Sequence, residues 1–187
     1  MIINPLNDEL INSVKSIAVE AGSAIMDVYH ADYDIQIKAD NSPVTEADKK
    51  ANTIITNKLT QLTPDIPILS EEGRSIPFSE RDNWTSFWLI DPLDGTKEFI
   101  KKNDEFTVNI ALIQNGNPTF GVVYAPALNI LYWGEVGGGA YKKSGESIKV
   151  KINVLDELNN PVLVAGSRSH PSERMNAFIG QFKESEV

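Results

Sequence analysis

From Asn7 to about His30, apolar residues recur at the spacing of one helical face: Leu10, Val14, Ile17, Ala21, Ile25 and Val28. Asn7 supplies an N-cap, and Asp8 and Glu9 put negative charge on the first turn, where the helix dipole favours it. DYDIQIKADNSPV then reads as a short strand and a loop, with Pro43 disfavouring helix at Ser42. A second helix starts at Thr45, with Ala47, Ala51, Ile54, Ile55, Leu59 and Leu62 on its inner face. IPILS and FWLID do not alternate and predict strands buried on both faces. FTVNIALI does alternate, placing Phe106, Val108, Ile110 and Leu112 on one side; it reaches the turn signal QNGN and returns as TFGVVYAP. ILYWGEV and GAYKK predict a further hairpin, and SIKVKINV one more strand. The three glycines Gly137, Gly138 and Gly139 lie in that hairpin turn; no helix follows them, as a phosphate loop would require.

Helices at the start and antiparallel sheet in the middle predict an α+β fold. The segment NNPV, near 159 to 162, marks a boundary. VLVAGSRSH then predicts a strand and loop, and PSERMNAFIGQF the beginning of a helix. One strand and one helix cannot bury their own faces. The expected organisation is therefore an N-terminal domain over 1–158 and the start of a truncated second α/β domain over 159–187.

Composition changes this picture at three points. No apolar run approaches the length that spans a bilayer, and the N-terminus lacks the form of a secretory signal, so no integral membrane segment is expected. With no cysteine, thiolate nucleophiles, disulfides and zinc–thiolate sites are excluded, and a cytoplasmic location fits. The net charge of −9 should repel nucleic acid polymers, and phosphate substrates too unless local cations invert the field.

The candidate chemistry lies in WLIDPLDGTKEF, where a predicted strand ends in Asp91 and a second acid follows at Asp94. Pro92 removes a backbone donor and should stop the ladder at Asp91. The two carboxylates and the Leu93 carbonyl between them form an all-oxygen donor set suited to Mg²⁺ rather than zinc. Gly95 and Thr96 open a helix whose N–H groups can hold an anion. The competing reading makes Asp94-Gly95 a turn and Asp91 a cap. A haloacid-dehalogenase type of phosphatase is a rival enzyme reading, but its two acids stand two residues apart, not three. SEEG sets Glu71 and Glu72 after a neighbouring strand, as solvated loop residues or as completion of the metal site. Thr45-x-x-Asp48 has the form of a capping box; the functional alternative points Asp48 at the site as a proton acceptor. His30 has no partner in sequence, while His170 sits beside Arg168 in SRSH at a strand end.

Taken in order, TEAD, SEEG and WLIDPLDGT resemble the signature of the inositol monophosphatase superfamily of lithium-sensitive, magnesium-dependent phosphatases. DPLDGTKEFI, EFTVNIALI, GVVYAP and SRSH are closer still to its 3′(2′),5′-bisphosphate nucleotidase (CysQ-type) branch, and the resemblance covers almost the whole chain. It implies the layered α/β sandwich of the inositol-monophosphatase/fructose-bisphosphatase class. It also implies hydrolysis of adenosine 3′,5′-bisphosphate to AMP and phosphate by water activated by two or three Mg²⁺. Carried over by motif, Glu71, Asp91, Asp94 and the Leu93 carbonyl would bind metal, with Glu72 behind them. Asp48 and Thr96 would orient and deprotonate the water. The Gly95 and Thr96 amides would hold the phosphate, Ser167 and His170 would touch the nucleotide, and Lys38 would lie nearby without an assigned role. The metal ligands Glu71, Leu93 and Asp94 would thereby also contact the substrate phosphate. A homodimer and peripheral attachment to the inner membrane are further expectations. In the family, a W-D-x-A motif and a G-x-x-x-K nucleotide contact stand in the C-terminal domain, and the sequence ends at Val187 before either would be expected. Two alternatives therefore stay open: an inositol or sugar-phosphate phosphatase of the same superfamily, and a fragment that binds metal and nucleotide without turnover.

Overall fold

The structure, a computed structural model, describes residues 6–31, 35–37, 43–157, 161–166, 172–182 and 185–186. The chain divides into two compact units, Met1–Ile152 and Asn153–Val187.

The first unit begins with α1 (Asp8–Tyr29), capped by the Asn7 side chain, which accepts from the Leu10 N–H at 2.8 Å. The helical face read from the sequence is the buried one, widened by Ile11, Ala18 and Tyr29. After two short antiparallel strands, β1 (Ile35–Ile37) and β2 (Pro43–Thr45), α2 runs from Glu46 to Leu62. Seven further strands make one sheet in chain order: β3 (Ile68–Ser70), β4 (Ser86–Asp94), β5 (Thr107–Gln114), β6 (Asn117–Ala125), β7 (Ile130–Glu135), β8 (Gly139–Ser144) and β9 (Val150–Ile152). Two short helices interrupt them, α3 (Phe78–Arg81), which the apolar pattern is too brief to reveal, and α4 (Thr96–Ile100).

One face of the sheet carries α1 and α2. Trp88 and Ile90 of β4, Val108, Ile110 and Leu112 of β5, and Phe120 and Val122 of β6 point into that core. Gly22 lets α1 approach β6 closely: a Cβ there would lie 2.4 Å from Tyr124 Cε1. Trp88 is fully buried and its indole N–H donates to Thr63 Oγ1 at 2.9 Å, tying β4 to the end of α2.

Three expectations need correction. The sheet is mixed, because β3 runs parallel to β4 while all other pairings are antiparallel. β4 is buried on one face only: Leu89 is 43% exposed between fully buried Trp88 and Ile90. Its outer positions are apolar too, so the sequence lacks the polar–apolar alternation that usually betrays a one-sided strand. The ladder also does not stop at Asp91. It shifts register between Asp91 and Asp94 and resumes with Asp94 opposite Thr107, so Pro92 sits in a bulge, which tolerates a missing donor. SIKVKINV contributes only the short β9.

The second unit holds β10 (Val162–Leu163), paired in parallel with β11 (Ser185–Glu186), and α5 (Glu173–Ile179), capped by Ser172. The residues of SRSH that carry candidate roles, Ser167 and His170, lie outside the described residues, as does Lys38.

Candidate active site

Strand pairing assembles the acidic residues. Ser70 lies opposite Ile90 in the parallel pair, so Glu71, just past the end of β3, comes beside Asp91, which is still within β4. The Glu71 N–H donates to the Ile90 carbonyl at 3.1 Å, which holds the turn against β4. Ser70 Oγ donates to Asn52 Oδ1 at 2.7 Å and anchors the same turn to α2.

Asp91 is the electrostatic centre. Burial, then the charges of Glu71 and Asp94, then a side-chain hydrogen bond with Glu71 raise its carboxyl from an ordinary 3.8 to about 7; a hydrogen bond from the Leu93 backbone opposes them. Two carboxyl groups can share a hydrogen bond only if one carries a proton. Among the described residues, Asp91 Oδ1, meanwhile, is buried with no hydrogen-bond partner. Such a pair holds a proton where a cation would neutralise it better.

The bulge separates Asp94 from this pair. Asp94 is exposed, and its Oδ2 accepts from Asn109 Nδ2 at 3.1 Å. Asn109 stands opposite Asp91 on β5, and its Oδ1 accepts in turn from Thr107 Oγ1 at 3.0 Å. Among the described residues no three acids form a finished metal cage. The site offers an adjacent acid pair, with Asp94 held to one side by β5. Every donor in it is a hard oxygen, which fits Mg²⁺ and not a thiolate- or imidazole-seeking ion.

Asp48 has the capping geometry read from the sequence. It is 1% exposed, and its Oδ2 accepts from the Thr45 N–H at 2.7 Å and from Thr45 Oγ1 at 2.6 Å, so it is a true helix-capping acid. Its Oδ1 accepts from Thr96 Oγ1 at 3.2 Å, across 48 residues of sequence. Thr96 Oγ1 also lies 3.3 Å from the Leu93 carbonyl. The Thr96 hydroxyl therefore links the buried carboxylate of α2 to the acidic end of β4.

Gly95 makes this link possible. Its φ is +93°, and a Cβ would lie 2.8 Å from the Glu105 carbonyl oxygen, so only glycine turns the chain here from bulge to α4. Phe99 of α4 is fully buried and packs on Tyr29 and Phe106, with ring centroids 5.1 and 5.2 Å away. In the KEF triplet Phe99 is thus a core residue that clamps the helix. Glu72 is half-buried, its N–H 3.3 Å from Ser70 Oγ. His30 is an exposed C-cap far along the chain from these groups. The reading from sequence missed Asn109, Thr107 and Asn52, polar residues on strand and helix faces whose neighbours only strand pairing reveals.

The chain matches the inositol monophosphatase family over residues 6–185. The 3′(2′),5′-bisphosphate nucleotidase CysQ of Escherichia coli strain K12 is 46% identical over 177 residues, covering 94% of this chain and 70% of that protein. Its namesake from Haemophilus influenzae is 37% identical over 174 residues, covering 93% and 65%. The crystal structure of CysQ from Bacteroides thetaiotaomicron, 35% identical, superposes with a TM-score of 0.76 over 94% of this chain and 71% of that one. With the family matched over nearly the whole chain and relatives this similar, this chain belongs to the inositol monophosphatase family.

Proposed function

We propose that the chain is a metal-dependent phosphomonoesterase that removes the 3′-phosphate of adenosine 3′,5′-bisphosphate, giving AMP and phosphate. The nucleotidase name of relatives 44–47% identical supports the substrate class. The observation that carries the mechanism is the Thr96 hydroxyl, 3.2 Å from Asp48 and next to the acidic end of β4.

In this reading Glu71, Asp91, Asp94 and the Leu93 carbonyl hold Mg²⁺, two or three ions per site, with Glu72 supporting Glu71. Bound there, Mg²⁺ supplies Lewis-acid polarisation of the phosphoryl oxygens and a lowered pKa for water. Thr96 Oγ1 accepts a proton from the attacking water while passing its own to Asp48 Oδ1. The proton ends on Asp48 Oδ1, while Oδ2 keeps its two hydrogen bonds from Thr45. The water oxygen bonds to phosphorus as the bond to the ribose 3′-oxygen breaks, with no covalent enzyme intermediate; the departing 3′-oxygen takes a proton from solvent, and Asp48 afterwards returns its proton to solvent. The Gly95 and Thr96 N–H groups, in the first turn of α4 and without helical acceptors, receive the developing negative charge. Ser167 and His170 contact the nucleotide. We place the enzyme in the cytoplasm, acting as a homodimer; among the described residues no helix is long and apolar enough to cross a membrane.

The test is Mg²⁺-dependent phosphate release from adenosine 3′,5′-bisphosphate and from inositol 1-phosphate. Faster release from the nucleotide, abolished by Asp91→Asn, is expected. Equal or faster release from inositol 1-phosphate would assign the chain to the sugar-phosphate branch. No turnover of either would make it a binding fragment.

A further inference from the structure

We propose that the groove between α1 and the β7–β8 hairpin is a second, non-catalytic site that binds a small polyanion bearing at least two phosphate or sulfate groups. This cleft, about 780 Å³, is built entirely within the first unit. Lys15 of α1, Lys143 of β8 and Lys149 in the turn before β9 all line it. In a chain of net charge −9, cations concentrated in one cleft run against the overall field.

The three ammonium groups are not balanced locally. Among the described residues, none of them forms an ion pair with a carboxylate; the Lys15 ammonium donates to Asn12 Oδ1 at 2.8 Å. Glu20, the acid in the groove wall, is already bound to Lys58 at 2.7 Å. Lys15 is depressed below the usual lysine range by burial first and then by the charges of Lys149 and Lys143, against a smaller opposing effect of Asp8. The cations therefore repel one another across the cleft, and an anion between them would relieve that repulsion.

Aromatic packing keeps two of them there. Trp133 and Tyr141 stack with centroids 5.5 Å apart and planes 20° from parallel. The Lys15 ammonium lies 4.4 Å from the Trp133 centroid, and that of Lys149 lies 5.1 Å from the Tyr141 centroid. Each cation rests on one ring of a rigid pair, which lowers the entropy lost when they close on a ligand. The adjoining hydroxyls of Ser16 and Ser147 add neutral donors. By charge, a single dianion offsets two of the three ammonium groups, whereas a bisphosphate or diphosphate can offset all three.

The experiment uses the full chain stripped of metal by chelating resin and titrated calorimetrically with sodium pyrophosphate, at an ionic strength of about 0.1 M. Saturable one-site binding with a Kd below about 1 mM is expected. The double variant Lys143→Gln, Lys149→Gln should weaken it by about tenfold or more, while Asp91→Asn should keep it. Sodium sulfate, with one dianion, should bind at least about tenfold more weakly than pyrophosphate. If the double variant melts early, Lys149→Glu at its exposed position must produce the same loss of binding. Absence of saturable binding, binding that survives the lysine substitutions, loss of binding in Asp91→Asn, or sulfate binding as tightly as pyrophosphate would each overturn the proposal.

Discussion

Replacing Asp91 with asparagine should stabilise the metal-free protein above neutral pH, although the residue is central to the site. The folded protein holds a proton on Asp91 up to about pH 7, whereas an unfolded chain releases it near 3.8. A carboxyl raised in this way gives its full stabilising contribution below the unfolded value and loses it as pH rises through the folded one. The interval from 3.8 to about 7 corresponds to about 4 kcal/mol, and solvent screening of this partly exposed group reduces that to about 2 kcal/mol. The asparagine side chain carries no charge and escapes this loss. For a protein of this size the variant should therefore melt about 4–8 °C above the parent at about pH 8 without metal, the gap opening between about pH 4 and 7. Mg²⁺ should raise the melting temperature of the parent by mass action and leave that of the variant nearly unchanged. Scanning fluorimetry across pH, with and without Mg²⁺, measures all of this. A variant less stable than the parent at alkaline pH without metal, or one that Mg²⁺ stabilises equally, would refute the reasoning.

Asp48→Asn should separate capping from proton transfer. The amide oxygen can still accept from the Thr45 N–H, so stability should fall by only about 1 kcal/mol, but an amide cannot take the proton of Thr96; kcat should drop at least about 100-fold with KM little changed, in steady-state kinetics. Asn109→Ala should weaken Mn²⁺ binding, read by titration independently of turnover, by about tenfold or more, because Asp94 loses the hydrogen bond that aims it. Gly22→Ala should destabilise the fold by about 2 kcal/mol in denaturant melts, since its methyl would overlap the Tyr124 ring, while the kinetic constants of the folded fraction stay unchanged.

Local order was legible in the sequence because it rests on neighbours along the chain. The spacing of Leu10, Val14, Ile17, Ala21, Ile25 and Val28 dictates the buried face of α1, and Asn7 and Thr45 dictate where two helices begin. The alternation from Phe106 to Leu112 dictates which side of β5 enters the core. The acids at 71, 91 and 94 were legible as a hard-oxygen set because chemistry follows residue type and short spacing. Only the tertiary structure decided which of them meet. The parallel pairing of β3 with β4 sets Glu71 beside Asp91, the bulge at Pro92 turns Asp94 toward Asn109, and the approach of α2 to α4 brings Asp48 to Thr96. The lysine groove belongs to the same class, since Lys15 and Lys149 stand at opposite ends of the first unit's sequence. Those contacts depend on strand register and helix packing, which sum many weak interactions over the whole core, and no short window of residues contains that sum.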